Sequence, residues 1–379
     1  MGEREAQMAN SQNLEAEIAQ LQAQLQQTQF QLQHAHAVIE AMESSKFWKL
    51  RSQWFGFKKQ ISGTVNKVRA LMKPAPAPDA VPQTKLAYFE TDPSGAYLLG
   101  MTSAEEQAYV YQYGAKNYSG VGEIVELGCF LGSLSIPMAK GVLDNPKLAN
   151  KAGRIHAYDI FYWDEYIVQM FEGDPLGEKF KEGDSFLPEY EERISEVRSC
   201  IQIYPGDLTQ IGWKGGAIEF LLVDAMKSWE LTDSIIKNFF PSLVPGVSLI
   251  QHQDYAYFWT TWIHLSMYRL REYFTPLYHV PSSSVIFRYD REIPQDLIDR
   301  PYLPSEFTKD EIEQAFDYSL KLVPPEMRPN IAASKVAAYF QINDFSQARL
   351  TIERFKQNGI YSATSDFSQI EQILEQHGG

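Results

Sequence analysis

The run VELGCFLGSLS, residues 125–135, sets an acid, Glu126, two residues before Gly128. A second glycine, Gly132, stands four residues further on and is followed by Ser133. Glycine lets a backbone come close to a ligand, and a helix starting behind it offers N–H groups without partners. The spacing is GxxxG rather than the GxGxxG of a dinucleotide turn, and a pyrophosphate has little use for a carboxylate there. A ligand bearing an ammonium or sulfonium does. Two more acids end later apolar runs. Asp159 is placed to take both hydroxyls of a ribose, and Asp207, in PGD, to accept from an adenine amino group. Each also reads as a helix cap or a loop residue. Three acids at successive strand ends beside a Gly turn point to one binding crevice.

A second constellation lies downstream. FLLVDAMKSW, residues 220–229, is apolar up to Val223 and then presents Asp224 and Lys227. The next apolar run ends in QHQDY, with His252 and Asp254. Asp224 and Lys227 are either a structural ion pair or a pair that works on a substrate.

For these side chains to converge, they must sit at the ends of neighbouring strands. From about Lys85 to Asp290, strand and helix patterns alternate, the signature of a doubly wound sheet. The patterns predict strands over 123–128, 154–160, 200–207, 218–224 and 246–254. A closing pair at 276–280 and 283–289 is joined by Pro281 and Ser282. Helices are predicted over 133–143, 228–243 and 257–274. The fold class is therefore α/β, a Rossmann-like sheet of seven strands with an antiparallel last hairpin. Residues 293–379 read as a helical segment, with a turn at Asn343–Asp344.

Three shorter units precede the 85–292 domain. Residues 1–43 carry Leu14, Ile18, Leu21, Leu25, Thr28, Leu32, Ala35, Ile39 and Met42 at alternating spacings of four and three. That narrow stripe predicts a coiled coil and self-association, hence a homo-oligomer. Residues 44–72 interleave aromatics with cations, and Ser44 to Lys73 holds eight basic residues and no acid. Such a segment suits an anionic membrane surface or docks its aromatics on the next domain. Residues 73–84 are a Pro/Ala linker.

Composition removes several classes. The net charge of −14 argues against nucleic-acid binding. Two cysteines, Cys129 and Cys200, without a CxxC, give neither a disulfide framework nor a structural zinc site. No apolar run reaches the roughly 18 residues of a spanning helix, and no secretory signal is legible. The expectation is a cytoplasmic protein, peripheral to the inner face of the membrane if the basic segment binds lipid.

From roughly Tyr97 to Arg288, about half the chain, the sequence resembles the class I S-adenosylmethionine-dependent methyltransferases. It is most similar to the small-molecule and sugar O-methyltransferases with the pattern E-x-G-x-x-x-G-x-S, matched at Glu126, Gly128, Gly132 and Ser133. LVPGVSLIQHQDY is similar to the family's L-x-P-G-G turn and fifth strand, with Val247 in place of the second glycine. The resemblance implies S-adenosylmethionine as donor, held by Glu126, Gly128, Gly132, Ser133, Asp159 and Asp207. It implies acceptor chemistry at Asp224, Lys227 and His252. It also implies a divalent metal such as Mg²⁺ at Asp224 and Asp254, with His252 or Gln253 as a further ligand. Lys227 stands where the family carries His and cannot ligate while protonated. It is a general base, a cation in place of the metal, or a structural partner of Asp224 or Asp233. A neighbouring Asp raises a Lys pKa and so opposes the first. His252 is the better base candidate.

The leading expectation is an O-methyltransferase acting on a hydroxyl of a sugar, a glycan precursor or another small molecule. The alternative is a non-catalytic methyltransferase-like scaffold in a polysaccharide-assembly complex. A dehydrogenase fits neither the GxxxG spacing nor the terminal hairpin. The aromatic stretches 161–166 and 255–262 are candidates for the acceptor pocket, a lid or core.

Overall fold

The computed structural model describes residues 87–88, 98, 100–361 and 366–377. The expected coiled coil, basic aromatic segment and linker lie outside the described residues. Among those residues the strands are β1 (Ala87–Tyr88), β2 (Glu123–Leu127), β3 (Ile155–Asp159), β4 (Ile201–Pro205), β5 (Ile218–Val223), β6 (Leu249–His252), β7 (Phe274–Val280) and β8 (Ser284–Tyr289). They form one sheet in the order β1-β7-β8-β6-β5-β2-β3-β4. β8 runs antiparallel to both β6 and β7, and the remaining pairs are parallel.

The central strands are apolar runs because both of their faces are covered. β5 is buried at every position and β2 at all but its first. All seven expected strands are present. The two-residue edge strand β1 was not expected, and the last parallel strand starts at Leu249 rather than 246.

The helices are α1 (Ala104–Gln112), α2 (Ser135–Asp144), α3 (Glu165–Met170), α4 (Leu187–Arg193), α5 (Trp229–Phe239), α6 (Thr261–Arg269), α7 (Gln295–Asp299), α8 (Lys309–Leu322), α9 (Arg328–Gln341), α10 (Phe345–Gln357) and α11 (Phe367–His377). α1 and α2 approach so closely that a Cβ on Gly141 would lie 2.3 Å from the Tyr111 carbonyl oxygen. The helix expected over 257–274 is cut to α6. The Thr260 hydroxyl donates to the carbonyls of Asp254 (2.6 Å) and Tyr257 (2.9 Å), which holds a turn where the helix would begin. At the other end the chain leaves the helix early to start β7 at Phe274.

The C-terminal helices pack on the sheet domain. Tyr255 pairs with Ser319 of α8 (3.0 Å), and Trp229 and Thr261 both donate to Gln341 of α9. The turn expected at Asn343–Asp344 is present. Asn343 takes the left-handed region (φ +61°), and Asp344 caps α10 by accepting from the Gln347 N–H (3.1 Å). Among the described residues no helix is long and apolar enough to cross a membrane.

The strand order turns back on either side of the β2–β5 pair. In an open α/β sheet that reversal leaves a crevice outside the carboxyl ends of the strands. Gly128, Asp159, Asp224 and Asp254 all follow or close strands at that end.

Candidate active site

The turn after β2 requires glycine at its first position. Gly128 has φ +88°, and a Cβ there would come within about 3.0 Å of the Ala225 backbone nitrogen. Gly132 has φ +81°. Two larger residues, Phe130 (φ +42°) and Phe161 (φ +51°), are also in the left-handed region, where a bulky side chain stores strain. Asp159 holds both. Its Oδ2 accepts from the Phe130 N–H (2.8 Å) and its Oδ1 from the Phe161 N–H (2.9 Å). Burial raises its pKa, and these backbone bonds pull it part of the way back. The carboxylate expected to meet a ribose therefore already fastens the Gly turn to the end of β3. The helix behind the turn, α2, has no side-chain hydrogen bond capping its N-terminus.

Glu126 lies inside, almost fully buried on β2. It accepts from the Ser135 hydroxyl (2.5 Å), which in turn accepts from the Tyr190 hydroxyl (3.1 Å). Burial pushes the carboxyl up to about 8. Ser135 lowers it, while the negative charges of Asp224 and Asp159 raise it further. Beside Glu126 is a cleft with about 230 Å³ of empty space. Glu126, Asp224, Gly128, Phe130, Ser133 and Met101 line it, with Thr102, Cys129 and Leu134. The Thr102 hydroxyl donates to Ser133 (3.0 Å), tying the segment before α1 onto the Gly turn.

Asp224 continues the pairing of β5 with β2, its N–H donating to the Leu127 carbonyl (2.9 Å). Its Oδ1 accepts from the Lys227 ammonium (2.8 Å), and the same ammonium donates to Asp254 beyond β6. Burial pushes Asp224 up to about 7; Lys227 opposes that rise and Asp254 adds to it. For Lys227 burial pulls down, but Asp224 and Asp254 outweigh it and hold the ammonium above its ordinary range. That direction favours the charged ammonium and opposes a general-base role for Lys227.

The expected metal site does not fit this geometry. One ammonium joins the two carboxylates that were to ligate the ion. The Gln253 amide oxygen already accepts from Gln251 (3.0 Å) and Ser284 (2.8 Å). Among the described residues no group of three His, Cys, Asp or Glu side chains is arranged to hold a metal ion. His252 also departs from expectation. Side chains alternate along β6: Gln251 faces Ser284, and His252 faces the opposite side, where its ring lies 5.9 Å from that of Phe287. It is fully buried, neither ring nitrogen has a hydrogen-bond partner among the described residues, and burial lowers its pKa to about 3. It does not line the cleft.

Asp207 is not brought to the cleft either. It is exposed and caps its own turn by accepting from the Thr209 N–H (2.8 Å). Most of the two aromatic stretches is core: Trp163 stacks on Phe180 at 4.7 Å, and Tyr255, Phe258 and Trp262 are buried. Tyr162 and Tyr166 remain exposed. Glu106 of α1 was not singled out from the sequence. It is fully buried, accepts from Ser284 (2.8 Å) and from Ser103, and its charge reaches Asp224. The S-x-x-E spacing of Ser103 and Glu106 is a capping box, which was the signal available for it.

No protein-family profile matches the chain, and no curated protein matches it. Among solved structures the chain is similar to one titled "StiE O-MT residues 942-1257", at 11% identity, covering 73% of this chain and 80% of that one, with a TM-score of 0.27.

Proposed function

We propose that the protein is an S-adenosylmethionine-dependent O-methyltransferase that methylates a hydroxyl of a sugar, a glycan precursor or another small molecule. The observation that carries this reading is the acid-lined cleft at the switch point of the sheet. Glu126 and Asp224 face it behind a glycine turn; the charge of Asp224 helps to raise Glu126, and Asp224 is itself raised by burial and by Asp254 and Glu106. A ligand with a positive centre relieves that repulsion, whereas a pyrophosphate would add to it.

Glu126 is the residue that would face the cationic end of the donor, with the backbone of Gly128 and Gly132 and the Ser133 hydroxyl beside it. Asp159 keeps the turn in the shape that receives it. Bound S-adenosylmethionine supplies an electrophilic methyl group. As the acceptor oxygen takes the methyl, its hydroxyl must release a proton, and Asp224 takes it. A carboxylate raised to about 7 is matched to that task near neutral pH. Sugar or glycan is the preferred acceptor class by analogy with proteins that combine coiled-coil, basic-aromatic and helical segments.

The test is transfer of labelled methyl from S-adenosylmethionine to a panel of glycosides and other hydroxylated small molecules. Label on an acceptor hydroxyl is the expected result. Donor binding without transfer to any acceptor would favour the scaffold.

A further inference from the structure

We propose that Lys227 is the resident cation of this site, a tethered ammonium in the place a divalent metal would take between Asp224 and Asp254. The inference rests on the methyltransferase reading for its catalytic consequence, and on geometry alone for the site itself. Asp224 and Asp254 lie just past the ends of adjacent strands, 30 residues apart in the sequence, and converge on one nitrogen. The two further ligands expected from the sequence are not on offer: the Gln253 oxygen is taken, and His252 faces the other side of the sheet.

The ammonium is also well placed to act. Lysine has three N–H donors, and the two carboxylates account for two. Its side chain is 51% exposed, whereas that of Asp224 is 18% exposed. Lys227 therefore reaches over the pair from the solvent side, where an acceptor would arrive. Its third donor is available to orient an acceptor oxygen, and its charge steadies that oxygen as the proton leaves. A point charge on a flexible stem keeps the site loaded without an ion from solution. It also leaves the pair with one uncompensated negative charge, which a neutral acceptor tolerates.

The experiment is Mn²⁺ binding to the full chain, followed by electron paramagnetic resonance with Mn²⁺ up to about millimolar. The wild type is expected to bind no Mn²⁺ that depends on Asp254. Lys227→Ala is expected to gain one Mn²⁺, lost again when Asp254→Asn is added. Wild-type binding abolished by Asp254→Asn would overturn the proposal, because the carboxylates would then be a metal site from which lysine withdraws. Failure of a folded Lys227→Ala to gain the ion would overturn it as well. If Lys227→Ala fails to fold, the wild-type comparison still decides. None of these readouts needs the donor, so failure of the methyltransferase reading is distinguishable. Should transfer be observed, Lys227→Ala lowers kcat about a hundredfold with donor Kd within about threefold, and EDTA leaves wild-type turnover unchanged.

Discussion

At the scale of single residues, the centre of the site is a set of carboxylates kept short of positive charge. Glu126 is the sharpest case, because its two roles oppose each other. Its pKa in the folded chain is about 8, against an ordinary value of 4.5. The protonated form therefore belongs to the fold. Its contribution to stability is fully present below about pH 4.5 and is lost as pH rises through about 8. Glu126→Gln should flatten thermal stability across that window and raise Tm at pH 8, read by calorimetric melting. The same substitution removes the charge that meets the donor, so donor affinity should fall about tenfold to a hundredfold, the worth of a hydrogen bond to a charged group. His252 makes the complementary prediction. A buried imidazole with neither nitrogen satisfied gains nothing from its polarity. His252→Met should leave kcat within about threefold and should not lower Tm; a loss of a hundredfold or more in turnover would restore it as the base. The tight turn at Gly128 and Gly132, and Glu126 on the strand before it, were legible in the sequence because two glycines at fixed spacing after an apolar run mark such a turn. The direction in which His252 points was not, because it depends on a one-residue register within β6.

At the scale of elements, the sequence disclosed strands better than helix ends. β2, β3 and β5 are mostly buried runs because both sheet faces are covered there, and such runs are hard to mistake. α6 was overextended because periodic aromatics continue the helical pattern past the point where the Thr260 hydroxyl claims two carbonyls. β1 was missed because two residues at a sheet edge carry no periodicity. The meeting of Lys227 with Asp254 was out of reach as well, since it follows from β5 and β6 lying side by side. The turn after β2 is where element and site coincide. Gly128→Ala places a Cβ against the backbone of residues 224 and 225 at a positive φ, which costs on the order of 1–3 kcal/mol. It should lower the urea midpoint and weaken donor binding together. An unchanged donor Kd in a destabilised variant would separate the turn from the ligand.

At the largest scale, the described residues form a sheet domain whose C-terminal helices brace the strand ends proposed to carry the chemistry. Trp229 follows directly on the Lys227 segment and is held by Gln341 of α9, and Trp262 donates to the Met226 carbonyl (2.6 Å). The lysine that bridges two strands is thus supported from both α6 and the tail. The methyl-transfer reading depends on a cationic donor entering the cleft between Glu126 and Asp224. Titration calorimetry with S-adenosylmethionine at pH 7, repeated in buffers of different ionisation enthalpy, tests that directly. Binding is expected with release of close to one proton from Glu126, and with affinity that tightens as pH rises toward 8. No heat at millimolar donor, or binding without proton release and indifferent to Glu126→Gln, would contradict it.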